Sequence, residues 1–270
     1  MANPHQIPSV SLRKIRRPIF IIINKPKGKK RFVTRNALSA NLKKRPKQKR
    51  ITDFFKGSNP PVIKEVIIPK GKISCFQWNN QKRIESCEKI AHYCDKAELF
   101  LVLGQEPSTF GCGITGLNNR HTKTYCVTDK PRAYIYTHKD LKTWPLDHLC
   151  SRDVASSLLD FNKEGYSKIL LCSIYWDGRI DSFPNEAVEA MKLANSKGYT
   201  ILIGGDINAR NTIYGSNVTD TRGKIFEEIL IKNNLLTLNI GSIPTCTAGN
   251  PGSVIDVTAI SSGMEDLITD

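Results

Sequence analysis

The sequence predicts a layered α/β (α+β) domain behind a basic arm, and three observations carry that reading. Short apolar runs of strand type alternate with segments whose apolar residues recur at helical spacing. Both signals run through residues 71–270 and are weak in residues 1–70, which mix Pro, Lys, Arg and Asn. The charge divides at the same place. Residues 1–70 hold 19 Lys/Arg against Asp53 and Glu65, 19 − 2 = +17, and residues 71–270 hold 21 against 23 acids, 21 − 23 = −2. That split excludes a uniformly basic protein and suits a near-neutral domain of about 200 residues carrying an arm for nucleic acid or another anionic surface.

The elements follow in order. Residues 72–79 (KISCFQWN) form a short apolar run suited to a strand. Residues 82–97 set Ile84, Cys87, Ala91 and Cys94 on one helical stripe. Residues 99–104 (LFLVLG) are a continuous apolar run of buried-strand type. Residues 131–137 and 153–161 alternate like strands, and 168–175 (KILLCSIY) is another buried strand. Residues 184–197 predict a helix opened by Pro184, with Val188, Met191 and Ala194 inward and Gly198 ending it. Residues 199–204 (YTILIG) form a strand. Residues 222–233 form a helix with Ile225, Phe226 and Ile229 inward, and 253–260 (SVIDVTAI) form the last strand. Loops lie at 106–130 and 234–252, and there is no internal repeat.

The arm buries too little apolar surface to offset its ordering entropy and is expected to be disordered over 1–70. Its longest apolar run, 19–23, is far too short to span a bilayer, and no amphipathic face suits it to a membrane surface. A signal peptide is rejected, because no small-residue cleavage site follows and the chain runs on into Lys25, Lys27, Lys29, Lys30 and Arg31. The basic cluster at 43–50 (KKRPKQKR) reads as a nuclear-import signal or a phosphate contact. Beside it, Gln48, Ile51, Phe54 and Phe55 stand at the spacing of the peptide by which replication and repair enzymes dock on the sliding clamp (PCNA), which they resemble. The eight cysteines include no C-x-x-C pair, and four lie in apolar runs. They read as reduced thiols of a cytosolic or nuclear protein.

Function is written at the strand ends. One strand ends Gln77-Trp78-Asn79 and another runs into Gln105-Glu106-Pro107. A third ends Ser173-Ile174-Tyr175, and a fourth runs through Gly204-Gly205 into Asp206-Ile207-Asn208. The last carries Asp256 within it. Residues ending buried strands are held rigidly and converge where one sheet finishes. The set lacks a reactive Cys, a Ser–His pair and a phosphate loop, and the Gly204-Gly205 pair reads as a tight exit from its strand. Carboxylates with amides suit a hard divalent cation, Mg²⁺ or Mn²⁺, and a phosphodiester is the natural substrate of such a centre.

The ordered set W-N, Q-E-P, S-x-Y, G-G-D-I-N-A and S-x-I-D-x-T resembles the endonuclease/exonuclease/phosphatase family. More narrowly, it is similar to the apurinic-type endonuclease domain of non-LTR (LINE-like) retrotransposons, over residues 72–262. The resemblance implies a four-layered sandwich of two mixed β-sheets flanked by helices, with the last strand of one sheet expected to be missing. It also implies an Mg²⁺- or Mn²⁺-dependent endonuclease that nicks target DNA for target-primed reverse transcription.

By the same resemblance Glu106 is the main metal ligand, helped by Asn79, with Asn80 the lesser candidate. Tyr175 contacts the scissile phosphate, Asp206 handles the attacking water or the leaving oxygen, and Asn208 donates to the phosphoryl oxygens. Asp256 orients a histidine that the family places in a later Ser-Asp-His. No histidine follows His148 here, so the expectation is a C-terminally incomplete domain of impaired activity. Arg132, Lys139 and Arg210 are candidates to line the cleft. Two rival readings are a phosphatase of the same fold, which leaves the basic arm without purpose, and a catalytically dead remnant that binds nucleic acid and the clamp.

Overall fold

A computed structural model describes residues 19–24, 72–163, 166–239, 242–246, 252–262 and 268–269. The import cluster at 43–50 and the clamp motif Gln48, Ile51, Phe54 and Phe55 lie outside the described residues.

Fourteen strands and three helices are described. Strand β1 is Ile19–Asn24 and β2 is Lys72–Asn79; helix α1, Ile84–Lys96, crosses to the parallel β3, Phe100–Gln105. A two-stranded hairpin follows, β4 (Thr109–Phe110) with β5 (Gly113–Ile114), and then β6 (Thr122–Thr124) and β7 (Ala133–Thr137). Strands β8 (Thr143–Pro145), β9 (Val154–Lys163) and β10 (Tyr166–Tyr175) lead to α2, Asn185–Lys197. That helix crosses to β11, Thr200–Asp206, again parallel to its predecessor. Helix α3, Thr221–Lys232, precedes β12 (Leu235–Thr237), β13 (Asp256–Ser261) and β14 (Ile268–Thr269).

The strands make two six-stranded mixed sheets, β14-β1-β2-β3-β7-β6 and β12-β13-β11-β10-β9-β8. Alternation along each strand builds four layers from them. One set of alternate residues (Ile73, Cys75, Leu101 and Leu103 from the first sheet; Leu171 and Leu202 from the second) fills the space between the sheets. The other set on the first sheet, including Phe76, Phe100 and Val102, packs on Cys87, Ile90 and Cys94 of α1. On the second sheet Cys172, Ile174 and Ile203 pack under Ala190, Met191 and Ala194 of α2 and Phe226 of α3. The order is therefore helix, sheet, sheet, helices, as expected.

Several expectations need correction. Ile19–Asn24 falls in the arm read as disordered, yet it is a strand, pairing antiparallel to β2 from Ile19↔Gln77 to Asn24↔Lys72. Its run of β-branched residues around one Phe suits a strand paired on both sides, and β14 pairs on its far side. The position beside β2 is thus filled from upstream. Ile225 of α3 is 37% exposed, because Phe226 and Leu230 take the inward face instead. Asp256 opens its strand rather than lying within it. The loop at 106–130 carries a hairpin and β6, and β12 lies in the second predicted loop. All eight cysteines are free and five are buried. Burial pushes the Cys75 and Cys172 thiols up to about 12 and Cys87 to about 11.

Candidate active site

The site forms where strands of both sheets end side by side. Asn79 and Gln105 are register partners in the first sheet. In the second, Asp206 lies between Tyr175 on one side and Asp256 on the other. The two sheets face each other, so five strand ends meet across the sandwich.

Asn79 is the bracket. Its Nδ2 donates to Glu106 Oε2 at 3.1 Å and to Asp206 Oδ2 at 2.8 Å, and its Oδ1 accepts from the Gln81 N–H at 2.8 Å. An amide nitrogen has two protons, so both are spent joining a carboxylate of one sheet to a carboxylate of the other. Asn80 is turned into the core, where it donates to Gln105 O and the Tyr134 hydroxyl. Asn79, not Asn80, belongs to the site.

Glu106 follows directly on Gln105, and one step along a strand would send it to the opposite face. It reaches Asn79 because its backbone is left-handed, φ 46°. Asn208 has φ 47°, and its Nδ2 donates to Trp176 O at 3.0 Å. Of the five described non-glycine residues with positive φ, Glu106 and Asn208 are predicted site residues, and Gln81 and Lys82 follow closely on Asn79. The Glu106 side chain is 14% exposed, and Lys82 Nζ stands 3.7 Å from its Oε1. The Lys82 ammonium offsets part of that carboxylate's charge.

Tyr175 is half-buried at the end of β10. Burial, then the charges of Glu106 and Asp206, raise its phenol well above 10, while Arg132 opposes them. The hydroxyl therefore stays protonated and can donate. Tyr175 also borders a cleft of about 340 Å³ together with Asp153, Asp177 and Phe183.

Arg132 is no free phosphate contact. It is buried, its guanidinium is paired with Asp153 through two nitrogens and with Asp177 through the third, and it sits 4.7 Å from the centre of the Tyr175 ring. Asp177 also receives Arg179 at 2.7 Å. Hydrogen bonds from Arg179 and then Arg132 hold its carboxyl far below the usual range, against the effect of burial. Arg210 is exposed.

Arg222 went unnoticed in the sequence. It stacks 3.7 Å over the Trp176 ring and donates to the backbone carbonyls of Asn208, Ile180, Trp176 and Ile207. It clamps together the two loops that leave β10 and β11. A helix-borne arginine gives no sequence signal for such a role, since its acceptors are main-chain atoms of distant residues.

Among the described residues the histidines lie elsewhere. His121 and His138 pack against each other and on Phe100 of the first sheet, whereas Asp256 is in the second. His92 and His148 are exposed. Among the described residues no three His, Cys, Asp or Glu side chains gather into a metal cage. The donor set fits Mg²⁺ nonetheless, because that ion keeps several waters and is held by one or two carboxylates plus substrate phosphate oxygens. Glu106 and the remaining lone pair of Asn79 Oδ1 match that demand.

Residues 169–268 match the family described as endonuclease-reverse transcriptase. Among solved structures, the endonuclease domain of TRAS1, a telomere-specific non-LTR retrotransposon, is similar at TM-score 0.55 and 24% identity, over 72% of this chain and 87% of that one. The chain has the fold of a retrotransposon endonuclease domain. An endonuclease/exonuclease/phosphatase from Beutenbergia cavernae gives TM-score 0.40 at 8% identity, over 69% of this chain and 63% of that one. The Xenopus laevis APE2 catalytic domain gives 0.42 at 10%, over 69% and 81%. A search of the curated proteins finds no match. The match over 169–268 contains Tyr175, Asp206, Asn208 and Asp256, whereas Asn79 and Glu106 precede it.

Proposed function

We propose that this chain is a divalent-metal-dependent DNA endonuclease that nicks one strand of duplex DNA, and that the nick primes reverse transcription of a retrotransposon. The observation that carries the reading is Asn79 joining Glu106 to Asp206 across the two sheets. It brings together a carboxylate for a cation and a second carboxylate for a proton, and the protonated phenol of Tyr175 is the register neighbour of the second.

Each residue has work that its surroundings permit. Glu106 and Asn79 hold Mg²⁺ or Mn²⁺, which when bound neutralises the charge of the phosphate. Asp206 orients the attacking water and accepts its proton. The Tyr175 phenol donates to a phosphate oxygen, which its raised pKa allows at any neutral or mildly alkaline pH. Asn208 has one N–H left after bonding Trp176 O, and offers it to the phosphoryl group as charge builds. Asp256, beside Asp206 in the ladder, supports that carboxylate's strand. The +17 of residues 1–70 supplies sequence-independent affinity for DNA that weakens with salt. The basic cluster at 43–50 would carry the chain to the nucleus.

The test is conversion of supercoiled plasmid to open circles with Mg²⁺ or Mn²⁺. Nicking that disappears in EDTA and in Glu106→Ala is expected. Tyr175→Phe is expected to lower kcat by about 100- to 1,000-fold, the usual cost of one preorganised donor. Nicking that persists undiminished in Glu106→Ala would overturn the assignment. Hydrolysis of small phosphate esters in preference to DNA would favour the phosphatase reading.

A further inference from the structure

Beneath the site, the space between the sheets changes character in a regular way. Deeper in, the inward residues are apolar: Cys75, Leu103, Leu171, Leu202 and Ile260. Two residues along each strand they become Gln77, Gln105, Ser173, Gly204 and Thr258, all on the same face by the period of two. Next come the site residues: Asn79, Tyr175, Asp206 and Asp256 two residues further, and Glu106 one further by its left-handed turn.

The intermediate tier is a set of hydrogen bonds from sheet to sheet. Gln77 Nε2 donates to Gly205 O of β11 at 2.9 Å, and its Oε1 accepts from Thr258 Oγ1 of β13 at 2.8 Å. Gln105 Nε2 donates to Ser173 Oγ of β10 at 2.9 Å and to Gly204 O at 3.1 Å. Ser173 Oγ donates back to Gly104 O at 2.8 Å. The four side chains are 0–3% exposed. Gly204 is what allows the sheets so close. A Cβ there would stand 2.8 Å from Leu103 Cδ1 and 3.3 Å from Gln77 Cγ. The Gly-Gly pair is therefore a place of close approach within β11, not the exit from the strand predicted above.

Polar side chains between two sheets are costly unless satisfied, and apolar ones would fill the space without fixing a separation. Directional bonds of 2.8–3.1 Å hold two surfaces at one distance and register. From this we infer that Gln77 and Gln105 are positioning residues, which set the separation of Asn79 and Glu106 on one sheet from Tyr175 and Asp206 on the other and so tune cation affinity. The inference rests on the metal-dependent reading of the site.

The test is Mn²⁺ binding to the full chain by titration calorimetry, beside thermal unfolding. Wild type is expected to bind Mn²⁺, and Glu106→Ala to lose it. Gln105→Met, similar in size, is expected to bind Mn²⁺ about 10- to 100-fold more weakly, as outer partners of metal sites do. It also removes the donor to Ser173 Oγ and Gly204 O, while Ser173 keeps its bond to Gly104 O, and lowers the Tm. Gln105→Met/Ser173→Ala removes both ends of their bond but also the donor to Gly104 O, so stability is expected to recover in part, while Mn²⁺ affinity stays low. Affinity that recovers together with Tm, or that never fell, would overturn the positioning role. If Gln105→Met does not fold, Thr258→Val carries the same test by removing only the donor to Gln77, with about 10-fold weaker binding expected and unchanged binding overturning the role. Wild type that binds no Mn²⁺, or binds it as Glu106→Ala does, sinks the metal reading itself and the inference with it.

Discussion

Replacing Arg132 with Met should cost this fold more than any other single change of charge among the described residues. Its guanidinium serves Asp153 and Asp177 at once and covers the Tyr175 ring, and the three side chains of the ion pairs are 10%, 21% and 7% exposed. Removing one partner of a buried pair costs about 3–5 kcal/mol, mostly for the charge left behind. Two features place this case at the lower end. Asp177 retains Arg179, and Asp153 keeps some access to water. About 3 kcal/mol corresponds to a fall in Tm of roughly 6–12 °C for a domain of this size.

The pH dependence of that deficit identifies its cause. The Asp177 carboxyl is depressed from its ordinary 3.8, so its contribution is fully present above that value and is lost as pH falls below it. The gap in Tm between wild type and Arg132→Met should therefore be constant from about pH 5 to 8 and narrow steadily below about 4. Differential scanning calorimetry across pH 3–8 measures it. A gap under about 2 °C at pH 7, or one that is independent of pH, would refute the account of Arg132 as a desolvated keystone between two acids.

Three further outcomes are expected. Gly104→Ala, one residue before Gln105, would set a Cβ 2.1 Å from the fully buried Tyr134 ring and should unfold the first sheet's active end, lowering Tm by more than 10 °C; a soluble variant of wild-type Tm would contradict the packing described. Arg222→Met should cost about 2 kcal/mol through lost bonds to carbonyls and raise proteolytic cleavage in the 176–185 and 207–220 loops, read by mass spectrometry, with other sites unchanged. In alkali the buried thiols resist ionising, so stability is complete below their ordinary pKa of 9.0 and falls above it. Cys75 and Cys172 should each cost about 1.4 kcal/mol by pH 10, and Cys75→Ala/Cys172→Ala should flatten the decline in chemical denaturation between pH 8 and 10.

Strand and helix placement was legible because the helices carry an apolar stripe at their own period and the central strands are short continuous apolar runs. β2 is read to the residue, and α2 within one position, its Gly198 ending it in a left-handed conformation with φ 66°. The acids and amides of the site were legible because they interrupt apolar runs at their ends. Ile19–Asn24 escaped because a lone apolar run between basic stretches carries no signal of its partner. Its six register pairs with β2 bridge some fifty residues of chain. The Gly204-Gly205 pair escaped because the reason for it is Leu103 and Gln77 of the opposite sheet.

The sequence by itself determined the central strands β2, β3, β7, β9, β10, β11 and β13, their apolar residues, and the polar side chains that stand at their ends, because period and residue type are local properties. Only the tertiary structure decided that β2 and β3 belong to one sheet and β10, β11 and β13 to the other. Consequently Asn79 spans a gap between sheets, Arg132 is committed to Asp153 and Asp177, and buried glutamines join the sheets under the site. Those assignments depend on distances between residues up to 181 positions apart, and such distances are set by how two sheets pack.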